Sequence, residues 1–162
     1  MTEERITRIA DAVVRAIRSS ADRKNSRFGL TEAKILIGKV EEKAKAMGIN
    51  VVVAVADKSG RPIAVECMDD SYIASYDVAV NKAFTVAALK MTTKKLSTLA
   101  APGGSLYGIQ HTNDGKIVIF GGGDPLIKNG EIIGGLGVSG GTEEQDTALS
   151  AYGAGLIDEI IL

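Results

Sequence analysis

The 162-residue chain has one cysteine, one histidine, no tryptophan and only seven other aromatic residues, and each scarcity removes a class of function. Cys67 alone forms no internal disulfide, and with His111 it is too little to build a Cys/His zinc site. Platforms for stacking nucleic-acid bases lack their material. An excess of one charge is missing too: nineteen basic against twenty acidic residues leave a net charge of −1, with no field to gather phosphates or anionic lipid. No run approaches the roughly 18 consecutive apolar residues of a membrane span. No basic segment leading into an apolar run opens the chain, as it would in a secretory signal. The absences argue against nucleic-acid and membrane partners and set the expectation of a cytoplasmic protein in a reducing compartment.

What is present is a globular composition, 45% hydrophobic and 24% charged, enough for one packed domain without disulfide or metal staples. Residues 1–27 stand apart from it. Ile6, Ile9, Ala10, Val13, Val14 and Ile17 fall at spacings of three and four with arginines on the other face, which predicts an amphipathic helix. Residues 19–27 are polar without periodicity and read as a tether. Such a leader either packs on its own domain or across an oligomer interface, or docks in a partner's groove.

Residues 28–162 read as one domain. Thr31 can cap a helix carrying Ala33, Leu36, Ile37, Val40, Ala44 and Met47 on its apolar face, with Gly48 ending it. Val51 to Ala56 is almost wholly apolar and predicts a central strand, and Asp57-Lys-Ser-Gly60 turns it into a partner running from Ile63 to Met68. Cys67 then falls in a strand, as a small core or interface residue. Asp69, Asp70 or Ser71 can cap an alanine-rich helix through Ile73, Tyr76, Val80, Ala83 and Ala87, whose small residues imply close packing on a flat partner. Three further strand-like runs follow, at Lys116 to Phe120, Pro125 to Lys128 and Glu131 to Val138, with Asn129-Gly130 a strong hairpin signal. Thr142 and Gln145 form a capping box opening the last helix. Strands that arrive in hairpins predict an antiparallel sheet of five strands with helices packed on it, an α+β domain.

Thirteen of the nineteen glycines lie between Gly103 and Gly141, which marks backbone in close approach to something. Gly135-Leu-Gly137-Val-Ser-Gly140 matches the dinucleotide pattern G-x-G-x-x-G, but the further strand with its acidic residue for the ribose has no place after the last helix. Close strand packing and a helix entry explain it better. Glu143 and Glu144 occupy the helix start where a phosphate would sit. The earlier half is different: Tyr107, Gln110, His111, Thr112 and Asn113 put donors and acceptors in an irregular segment leading to Gly121, Gly122 and Gly123, and look like the rim of a pocket. A surface histidine without a special task remains the alternative for His111.

At these residues the chain resembles the GlcG-like haem-binding family, which also supplies the C-terminal domain of PduO-type cobalamin adenosyltransferases. The resemblance runs through Leu30-Thr-Glu-Ala33, Val55-Ala-Asp-Lys-Ser-Gly-Arg-Pro62, Met68-Asp69, Asn81-Lys-Ala83, Phe120-Gly-Gly-Gly123 and Ile133-Gly-Gly-Leu-Gly-Val-Ser-Gly140. It implies a profilin-like five-stranded antiparallel sheet, a homo-oligomer, and haem or a corrinoid-related molecule as ligand. The adenosyltransferase domain has no counterpart here. A haem iron needs an axial donor; His111 is the candidate, with Tyr72, Tyr76, Tyr107, Met68 and Met91 as substitutes. In this reading Tyr107, His111, Asn113 and the triple glycine line the site with the helix bearing Tyr72, Tyr76 and Lys82. Relatives occur with bacterial microcompartments, which suggests residues 1–20 as a tag for a shell. The competing class is a small enzyme in which His111 and Lys82 exchange protons with a metabolite, against which stands an ordinary solvated or interface lysine at position 82.

Overall fold

The computed structural model describes residues 5, 7–15 and 28–161. Residues 7–15 are helical (α1) and every one of them is exposed. The leader's Ile6 and Ile17 and the tether at 19–27 lie outside the described residues. The domain runs α2 (Leu30–Ala46), β1 (Val52–Asp57), β2 (Pro62–Cys67), α3 (Ser75–Leu89), α4 (Thr93–Ala100), β3 (Gly123–Lys128), β4 (Glu131–Ser139), α5 (Glu143–Gly155) and the short α6 (Ile157–Ile160). The strands form one antiparallel sheet in the order β2-β1-β4-β3.

Two tight turns set the hairpins. Between β1 and β2, Asp57 Oδ1 accepts from the Ser59 and Arg61 amides at 2.8 and 3.1 Å, and Gly60 takes φ +78°. Between β3 and β4, Asn129 and Gly130 both adopt positive φ, 51° and 80°, as a primed two-residue turn requires. The first domain helix is capped at Gly29, not Thr31, with Glu32 reaching back to the Gly29 amide at 2.9 Å.

Alternation along the central strands separates two faces. Val53 and Val55 of β1, with Leu136 and Val138 of β4, meet Leu36, Ile37 and Val40 of α2 and Leu149 of α5 in the larger core. On the opposite face Val52, Ala54 and Ala56 meet Ala79 and Ala83 of α3. Here β4 offers no side chain at Gly135 or Gly137. A Cβ on Gly137 would collide with the Ala79 carbonyl oxygen and stand 2.7 Å from the Ala83 nitrogen; one on Gly135 would collide with the Ala83 carbonyl oxygen. The G-x-G spacing is therefore the period-two face of a strand on which a helix lies backbone to backbone.

Among the described residues the sheet has four strands, not five. The run Lys116 to Phe120 pairs with no strand. Ile117 and Val118 are buried, but the Val118 amide donates to Thr85 Oγ1 at 3.0 Å, and that hydroxyl donates to Asn81 O and Lys116 O. A helix side chain thus supplies the partner that a neighbouring strand would have given. Cys67 ends β2 exposed, which removes it from the core expected as one of its two places. Gly137→Ala should lower unfolding stability by about 3 kcal/mol, because backbone on both sides must part. Gly38→Ala in α2, with nothing within 4 Å of the new methyl, should raise it by about 0.5–1 kcal/mol; urea denaturation of the two variants checks the contrast.

Candidate functional site

Placing α3 so close to β4 carries Lys82 through to the far end of the strand. The side chain is wholly buried. Its Nζ donates to Val138 O at 2.7 Å and to Asp146 Oδ2 at 2.9 Å, and stands 4.9 Å from the centre of the Phe120 ring. The other carboxylate oxygen of Asp146 accepts from the Gly141 amide at 2.9 Å. Burial pushes the Lys82 ammonium below its ordinary pKa and the Asp146 carboxyl above its own, and the pairing opposes both shifts. Such a pair is held by geometry more than by net energy, since desolvation offsets most of the Coulombic gain.

The triple glycine wraps this pair. The Gly121 amide donates to Glu143 Oε1 at 3.0 Å, and the same oxygen accepts from Lys94 Nζ at 3.0 Å. Gly122 sits at φ +108°, accepts from the Val138 amide at 2.8 Å, and a Cβ there would stand 2.5 Å from Lys82 Nζ. The Gly123 amide donates to Thr93 Oγ1 at 2.9 Å. These contacts face inward, so the three glycines join β3, α4 and α5 around the buried lysine. Thr147 Oγ1 lies buried without a hydrogen-bond partner among the described residues, in the space a Cβ on Gly121 would fill. On β3, Asp124 Oδ2 accepts from Ser150 Oγ at 2.5 Å, and burial raises its carboxyl pKa.

His111 belongs to a second, outward-facing assembly. It ends a single 3₁₀ turn, Ile109–His111, and is exposed. The loop is tied at its entrance by the Leu106 amide to Leu99 O at 2.9 Å, and stiffened by Thr112 Oγ1, which donates to Ile109 O at 2.7 Å. Asn113 and Asp114 take positive φ of 52° and 57°, which turns the chain back toward Lys116. Among the described residues the imidazole has one side-chain hydrogen-bond partner, Gln110 Nε2, at 3.4 Å. Tyr107 is 67% exposed. Tyr72 is exposed in the turn before α3 and not on the helix, and Tyr76 is half exposed on its first turn.

The structure thus brings together Lys82, Gly121, Gly122 and Gly123. Among the described residues, no hydrogen bond, ion pair or ring contact joins Tyr72, Tyr76, Tyr107, His111 or Asn113 to that cluster. Sequence reasoning missed Asp146, Thr85 and Thr93. One signal was available for Asp146: Lys82 shares a helical face with Ala79, Ala83 and Val86, and a cation on an apolar face requires a carboxylate. No three His, Cys, Asp or Glu side chains gather to hold a metal ion among the described residues. No described helix is long and apolar enough to cross a membrane.

Two measurements separate the inner cluster's bonds. Lys82→Met, which strands the buried Asp146 charge, should cost about 3–5 kcal/mol of stability, whereas Lys94→Met at the exposed pair should cost at most about 1 kcal/mol. The Gly121 amide, then Lys94, hold the Glu143 carboxyl below its usual 4.5. A depressed folded pKa contributes stability that is complete above the unfolded value and disappears as pH falls through the folded one. Glu143→Gln should therefore flatten the loss of stability below pH 4.5, read by thermal denaturation across acid pH.

Residues 28–154 match the family model described as haem degrading protein HbpS-like. An uncharacterised 15.0 kDa protein from the dhaT–dhaS intergenic region of Citrobacter freundii is 46% identical over 121 residues, covering 75% of this chain and 85% of that protein. The corrinoid adenosyltransferase PduO of the same organism is 35% identical over 142 residues; the match takes in 87% of this chain but only 42% of PduO. A crystal structure of PduOC in complex with haem superposes with a TM-score of 0.78 at 35% identity, covering 82% of this chain and 96% of that one.

Proposed function

We propose, since this chain belongs to the HbpS-like family, that it is a haem-binding protein working as a homo-oligomer, with His111 the iron's axial donor. The observation that carries this is the chemistry of His111. The only imidazole in the chain is exposed on a loop pinned at both ends, and among the described residues its one side-chain hydrogen-bond partner is an amide at 3.4 Å. A ring nitrogen is thus open to meet iron, and Tyr107, four residues earlier on the same loop, is an exposed aromatic that haem could also meet. Bound haem would supply a redox-active iron; the protein's part is to present the donor and to hold the loop that carries it. The likeness to PduOC solved with haem supports the same ligand.

The acid/base enzyme reading draws less support. Lys82 is buried and committed to Val138 O and Asp146, with no contact to His111. The three glycines serve this reading as the frame of the loop and not as ligand contacts. The PduO likeness supports a setting beside corrinoid metabolism, in the cytoplasm or a bacterial microcompartment, without transferring the adenosyltransferase activity. Titration with ferric haem should give a Soret band, with affinity weakened at least about tenfold in His111→Ala, the loss of one strong interaction of about 1.4 kcal/mol or more. An unchanged spectrum in that variant moves the ligand to a tyrosine or methionine. Native mass spectrometry of the full chain should show more than one copy.

A further inference from the structure

The described part of α1 keeps an apolar stripe in solvent: Ile9, Val13 and Val14 are 52%, 50% and 45% exposed. The leader is also basic. Residues 1–27 hold seven arginines and lysines against four acids, while the remaining residues hold twelve against sixteen. The domain has a surface of matching character. At the C-terminal end of α2 and the end of β2, a hollow of about 490 Å³ is lined by Glu41, Glu66, Asp69 and Asp70, with Lys45 as the one cation among the described residues. Burial, and then the Glu66 charge, push the Glu41 carboxyl above its ordinary pKa, as in a site short of cations. Asp70 leads, two and three residues on, to Tyr72 and Ile73, which are 73% and 97% exposed. An apolar strip beside an acid-rimmed hollow is the complement of an apolar stripe backed by arginines.

We propose that the leader helix of one copy docks on this surface of a second copy. Ile9, Val13 and Val14 lie against Tyr72 and Ile73, and the leader's basic residues meet the carboxylates of the hollow. This deepens the reading that the protein assembles with itself, and rests on it. Geometry favours exchange over folding back. The tether joins the domain at Phe28, while the hollow sits at the other end of α2, about 25 Å away at 1.5 Å per residue. To reach its own hollow a leader must double back along α2. Two copies related by a two-fold axis, with their α2 helices head to tail, set each leader beside the other's hollow. The same stripe that sequence alone offers to a microcompartment shell is, in this arrangement, covered within the assembly.

Thiols placed on the two apolar surfaces test this directly once the native Cys67, which lines the hollow, is replaced by serine. Full-length Val13→Cys, on the stripe, and Asp11→Cys, on the opposite face, each combined with Ile73→Cys and Cys67→Ser, are oxidised under mild conditions and run on non-reducing gels beside the Ile73→Cys, Cys67→Ser parent. Docking predicts about tenfold more covalent dimer from the position-13 variant than from the position-11 variant or the parent, as docking raises the effective thiol concentration. That dimer should vanish when Ile73 is restored and fall severalfold when Glu66→Lys and Asp69→Lys are added. Circular dichroism confirms that these surface variants stay folded. An intramolecular disulfide in a fast-running monomer overturns the proposal in favour of a folded-back leader. Equal trapping at positions 11 and 13, or none, overturns it and leaves the stripe to a partner of another sequence. Native mass spectrometry separates the two levels: assembled but untrapped protein sinks the docking alone, and monomer sinks the assembly reading as well.

Discussion

Backbone against backbone is the contact on which this domain depends. Helix α3 lies on β4 where Gly135 and Gly137 present no side chain, opposite Ala79 and Ala83. Neighbouring β1 offers Ala54 and Ala56 to the same face, so the floor beneath the helix is shallow across two strands. Everything on that side inherits the spacing. Thr85 is near enough to serve the Val118 amide, Thr93 to serve Gly123, and Lys82 to pass the end of β4. A single methyl on this floor would move all three.

The buried ion pair is a consequence of that approach, not its cause. Removing an ammonium and a carboxylate from water is expensive, and their attraction restores only part of the loss. What the pair adds is definition. Lys82 comes from α3, Asp146 from α5, Val138 from β4, and Gly122 closes over them. Four segments distant in the chain must be in register before the charges are satisfied, which penalises every slipped packing of α5 on the sheet. The glycine run that first suggests a ligand cradle is here the lid of a polar core.

Much of the architecture was legible in the residues. The asparagine–glycine turn, the Thr142 capping box and the unbroken apolar run of β1 each follow local rules, and the structure obeys them. The small residues of α3 announced a close partner, and the period-two glycines of β4 turned out to be it. The false strand at Lys116 to Phe120 had the right composition, and composition cannot say whether a strand or a hydroxyl will satisfy an amide. Aspartates able to cap point to a helix that includes Tyr72; the chain instead turns at Asp70, φ +61°, and begins the helix at Ser75. The site was less legible than the fold. Lys82 and the triple glycine meet, but facing inward around the buried pair with Asp146. His111 faces outward with Tyr107, because a loop's direction is set by contacts such as that of Thr85, which no local pattern encodes.

The hydroxyl of Thr85 has one more implication. A segment embedded in a sheet can change length only by disturbing a ladder on each side. Residues 107–115 pair with no strand: the loop leaves α4 where the Leu106 amide meets Leu99 O and rejoins the domain at Lys116 and the buried Ile117 and Val118, held by Thr85. Insertions, deletions and wholesale replacement between these two anchors are therefore open to natural variation while the sheet, the glycine floor and the buried pair stay as they are. The scaffold and the chemistry it displays can evolve at separate rates.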